Sequence, residues 1–76
     1  MIRRHDLVKF VGPSVCKFFT CNGSQDAVIE DGVLGLALSD EFEAWHGGTF
    51  RCEILIGNEV FDANPDDLVV VQPGVI

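Results

Sequence analysis

Positive charge is what this sequence has least of. Five lysines and arginines stand against twelve aspartates and glutamates, for a formal net charge of −7 and a pI near 4.4. Phosphate backbones are held by cations that displace counterions, so so acidic a chain is not expected to bind nucleic acid. Arg3, Arg4 and Lys9 lie near the start, as a solvated basic tail or a grip for an acidic partner. Cysteine is scarce and odd in number: Cys16, Cys21 and Cys52 cannot form a closed disulfide framework, and they read as free thiols in a reducing setting. Long apolar runs are missing too. None approaches the roughly 20 residues that span a bilayer, and Met1–Asp6 has no apolar stretch behind it of the kind a secretion signal needs.

Chemical signatures are also absent. The chain has no glycine-rich phosphate loop, no nucleophile elbow and no dinucleotide fingerprint. Cys52 alternates into an apolar run, where a thiol is inert, so no catalytic residue is expected. His46 follows Asp40, Glu41 and Glu43, but without diagnostic spacing the four read as a solvated acidic loop. His5, Cys16 and Cys21 lack the C-x₂-C pairing of closed zinc sites. Neither a metal nor a cofactor is expected.

What is present is an excess of apolar side chains. Of 76 residues, 47% are hydrophobic, and mean hydropathy is +0.27 despite the charge. One domain of this length has too little interior to hide them all, so some belong on the surface, where other molecules cover them. The expected partner is therefore protein, as a larger assembly or a homo-oligomer.

The clearest folding signal is Thr49–Val71. Alternation from Thr49 to Ile56 meets Gly57-Asn58, which suits a type II′ turn, and Glu59-Val60-Phe61 returns. This sets Phe50, Cys52, Ile54, Ile56 and Phe61 on one face, with Arg51, Glu53, Leu55 and Val60 on the other. Asn64 caps one helical turn whose first position is Pro65, and Leu68–Val71 is the last strand. Upstream, Asp6–Val11 is a strand ended by Gly12-Pro13. Val15–Cys21 and Ser24–Glu30 form a projecting hairpin about Asn22-Gly23, in which Phe18 opposes Ala27 and Phe19 opposes Asp26. Val33–Leu38 places Leu34, Leu36 and Leu38 on one face, with Gly35 where a side chain would obstruct a neighbour. Ser39–Gly48 is a loop or a single turn; a helix there would put Phe42 and Trp45 on a shared face but is too short to be strong. Val75 and Ile76, beyond Pro73-Gly74, have no evident core to join.

These pieces resemble the SH3-like small barrels. Leu7–Val11 matches the N-terminal strand, Val15–Glu30 the long first hairpin and Val33–Leu38 the second strand. Asp40–Gly48 matches the variable loop, Phe50–Phe61 the tight hairpin, Asn64–Asp67 the 3₁₀ turn and Leu68–Val71 the closing strand. The resemblance implies an all-β barrel of five or six strands with one 3₁₀ turn before the last. The classical proline-peptide groove needs paired tyrosines, and this chain has none. The sequence is also similar to short single-domain barrels encoded by tailed bacteriophages, which decorate capsids, join tail parts or modulate host proteins. That likeness implies a non-catalytic structural or protein-binding subunit, associated with the capsid or tail of a virion. The alternative is an acidic regulator in the host cytoplasm that inhibits a nucleic-acid-binding enzyme. The candidate contact residues are Phe18, Phe19, Phe42, Trp45, Val75 and Ile76.

Overall fold

The structure, a computed structural model, describes residues 1–44 and 49–76, with Phe19 and Ala44 described through their backbone. Eight strands follow one another: β1 (Leu7–Phe10), β2 (Ser14–Thr20), β3 (Gly23–Ile29), β4 (Leu34–Ala37), β5 (Phe42–Ala44), β6 (Thr49–Ile56), β7 (Glu59–Ala63) and β8 (Leu68–Gln72). A 3₁₀ turn, Pro65–Asp67, precedes β8. All ladders are antiparallel, in the order β3-β2-β7-β6-β4-β1-β8, with β5 also on β6. The all-β class, the long first hairpin (β2–β3) and the turn before the last strand are as expected. The strand number is higher, and the sheet is not closed: among the described residues, β3 and β8 are edges without a ladder between them.

Among the described residues no α-helix covers this sheet, yet Val8, Phe10, Ala37, Cys52, Ile54 and Ala63 are fully buried. A sheet can bury one face unaided only by curling over itself. The core cluster spans the curl, from Ile29 of β3 to Leu68 of β8. Gly35 makes the close approach possible at β4, because a Cβ there would sit 2.4 Å from Ile54 Cγ2 and 3.1 Å from the Leu55 carbonyl oxygen. The sharp interior of the bend accepts only a glycine and, two residues on, Ala37.

One of the two hairpin turns is as the sequence reading has it, and the other differs. Ile56 pairs with Glu59 across Gly57-Asn58, and Gly57 alone has positive φ (+61°), as a type II′ turn requires. In the first hairpin, however, Thr20 pairs with Gly23, so the turn is Cys21-Asn22 and Phe18 opposes Gln25, not Ala27, while Phe19 opposes Ser24, not Asp26. The Thr20 hydroxyl secures this register: it donates to the Gly23 carbonyl at 2.9 Å and accepts from the Asn22 N–H at 3.2 Å. Gly23, at φ +115°, takes the unusual backbone angle beside the turn. A slip of two, unlike a slip of one, keeps the alternation of a strand's faces.

The second correction is β5. Phe42–Ala44 is neither loop nor helix but a strand on β6, with Phe42 opposite Arg51 and Glu43 opposite Phe50. β6 runs well past the end of β4, which reaches only Leu55 and Ile54, and the exposed stretch of its edge accepts β5. Ser39 bridges the gap between the two: its hydroxyl accepts from the Glu53 N–H at 3.2 Å, and its carbonyl accepts from the Cys52 thiol at 3.3 Å. Phe50 lies beyond the end of the core. It shares a face with Cys52 and Ile54 but is exposed.

Candidate interaction surface

Strand β4 determines which apolar residues reach solvent. Its alternation buries Gly35 and Ala37 and turns Leu34 and Leu36 outward. Two of the leucines that the sequence sets on one face, Leu34 and Leu36, thus line the convex face, since the inner side of the curl has no room for them. The registers extend this face sideways: Leu36 pairs with Leu7 of β1 and Leu55 of β6, and Leu55 pairs with Val60 of β7. All four are half-buried and none belongs to the core cluster. One register step away, Lys9 lies between Leu34 and Val69, both exposed. An aliphatic stripe therefore crosses β1, β4, β6 and β7 on the side facing away from the core, where packing within the chain does not account for it.

Polar groups flank the stripe. Arg51 donates from Nε to Asp62 Oδ1 at 2.9 Å and from Nη2 to the Asp62 carbonyl at 2.8 Å, with both side chains roughly three-quarters covered (22% and 26% exposed). Phe42, opposite Arg51, is exposed at this border.

The expected contact residues fare differently. Phe18 turns inward: it is half-buried, with its ring 5.5 Å from that of Phe61. Val75 and Ile76 are exposed, Ile76 at 75%, but the segment leading to them is held. The Gly74 N–H donates to Asp6 Oδ1 at 3.0 Å and the Val75 N–H to the His5 carbonyl at 2.9 Å. Trp45 lies outside the described residues, as does the Phe19 side chain. Of the four candidates with described side chains, Phe18 turns inward while Phe42, Val75 and Ile76 are exposed; the leucine and valine stripe was not among the candidates. The signal for it was present in Gly35 between Leu34 and Leu36, a glycine whose missing side chain marks the inner face.

His46 lies outside the described residues, and two of its acidic neighbours anchor the N-terminus: Asp40 accepts from the Arg4 N–H, and Glu41 accepts from the Ile2 N–H. The Ile2 carbonyl accepts from the Glu41 N–H in return, and Ile2 is buried, a core residue the sequence did not announce. Among the described residues no three His, Cys, Asp or Glu side chains gather as a metal site. Burial pushes the Cys52 thiol up to about 11 and raises that of Cys16 as well, so both favour the unreactive thiol form. Ser14, buried beside Cys16, donates to Asp67 Oδ2 at 2.7 Å and ties β2 to the 3₁₀ turn. Among the described residues no helix is long and apolar enough to cross a membrane. Comparison with protein-family models, with curated proteins and with solved structures returns no match.

Proposed function

We propose that this protein is a non-catalytic structural or protein-binding subunit that docks through the convex face of its sheet. The observation that carries the reading is the outward placement of Leu34 and Leu36, continued by Leu7, Leu55 and Val60. Aliphatic area of this kind on a short acidic chain favours a protein cover over a nucleic acid or a small ligand. The curled sheet with a long first hairpin and a 3₁₀ turn supports assignment to the SH3-like barrels, opened between β3 and β8. Within that class, the setting we favour is a tailed-phage particle, with the chain as a capsid- or tail-associated component. Support for it is the similarity of architecture and the apolar surplus.

The test is sedimentation from the producing cell. Tagged wild-type protein is expected to travel with a particle far larger than 8.3 kDa. Leu36→Glu is expected to remain folded and stay near the top of the gradient. Wild-type protein that stays at the top as well contradicts the reading.

A further inference from the structure

The two edges of the sheet are built to different rules, and the difference singles out β8. Strand β3 (Gly23–Ile29) carries Asp26, paired at 2.9 Å with Lys17 of β2, beside the polar Ser24 and Gln25. Charges and polar residues of this sort keep an edge from pairing with another chain. Strand β8 reads Leu-Val-Val-Val-Gln and has no charge. Of the eight strands among the described residues, only β4 and β8 lack a charged residue, and β4 is paired on both sides. Val69, Val70 and Val71 are all substantially exposed. Val70 decides the point: its cross-strand partner Val8 is fully buried, yet Val70 is 39% exposed, because nothing within the described chain lies beyond it.

The following segment does not cover this edge. After β8 the chain gives its Gly74 and Val75 N–H groups to Asp6 and His5, on the β1 side, so among the described residues nothing pairs with the outward N–H and C=O groups of β8. Its one protective device is a bulge: the register with β1 shifts between Leu7 and Val8, leaving Val71 as the extra residue.

We propose that β8 is completed by β8 of a second copy, antiparallel, about a two-fold axis. This rests on the protein-binding reading and names one partner. The argument for a second copy is that the edge complements itself: met antiparallel, its valines set apolar residue against apolar residue, and the strand brings no carboxylate of its own although each chain carries −7. A register centred on Val70 sets Val69 against Val71 of the other copy and Leu68 against its Gln72. A five-residue edge is small against the roughly 20–30 residues a side of a stable interface, so the dimer is weak, with a dissociation constant in the micromolar-to-millimolar range.

Sedimentation velocity of the purified full chain, from about 10 µM to about 1 mM, reads the equilibrium. The expected result is a concentration-dependent shift from monomer to dimer and no further. Val71→Lys and Val69→Lys, each at an exposed site, are expected to hold the chain monomeric at least tenfold beyond the wild-type midpoint. Hydrogen exchange on the wild type supplies a readout that needs no variant: alternate β8 amides gain protection with concentration, while β3 amides do not. A monomer throughout, an open series of larger species, or dimers unaffected by either lysine overturns the proposal. None of these results touches the convex-face reading, whose failure appears in the particle gradient instead.

Discussion

The β3 and β8 edges belong to one sheet, yet one is finished for water and the other is not. At the β3 edge, among the described side chains, the exposed Val15 and Val28 face each other across a single register position and are followed by the Lys17–Asp26 pair. At the β8 end the exposed apolar residues are contiguous, from Val69 to Val71 and across Lys9 to Leu34 on the convex face. The difference teaches where the apolar surplus of the composition has gone. Much of it lies from β8 across β1 to β4, whose concave side at Gly35 is already full.

The sharpest way to break this comparison is to fill the bend. Gly35→Val places side-chain atoms where Ile54 Cγ2 and the Leu55 carbonyl already lie. We expect a loss of about 3 kcal/mol in urea denaturation, the upper end of the usual cost of overpacking. An unchanged midpoint would mean that β4 does not bend tightly over β6.

Next in size is a pH effect that arises in the core. Cys52 ionises near 9.0 when unfolded and at about 11 when folded, because burial disfavours its thiolate. Between those values the unfolded chain has released a proton that the native chain keeps, so stability falls as pH rises. Two pH units at about 1.36 kcal/mol each give a loss of roughly 2–3 kcal/mol between pH 9 and 11, and none from this group below pH 9. Cys52→Ala is expected to start less stable but to lose less over that window. Cys16, raised for the same reason, contributes the remaining slope in the same direction. Equal slopes for wild type and variant would place Cys52 outside the core.

Much of the fold was legible because local chemistry and global structure agree. Gly57-Asn58 could only make the turn it makes, Asn64-Pro65 caps as such a pair does, accepting the Asp66 N–H at 2.9 Å, and alternation from Cys52 to Phe61 identified the core face. The failures came where a tertiary neighbour decided. Phe42–Ala44 became a strand because β6 offered a free edge, a fact no window around Phe42 contains. The first hairpin moved its turn by one residue because Thr20 supplied a hydroxyl to both sides of it, outweighing the preference of Asn-Gly. Ile2, the second residue, entered the core because Asp40 and Glu41 hold the segment from across the sheet. The interaction surface was the least legible part. Leucines at alternate positions announce a face but not its side, and only the space around Gly35 shows which side is inner.

The measurement that bears most directly on the account has the smallest expected effect on stability. Leu34→Glu, compared with wild type by urea denaturation of the purified protein, asks whether a leucine of this stripe serves the fold or the surface. Leu34 is 51% exposed and pairs outward with Lys9, so we expect a change within about 0.5 kcal/mol. A loss of about 2 kcal/mol or more would show that the stripe holds the monomer together, and the outward face would no longer be available to a partner.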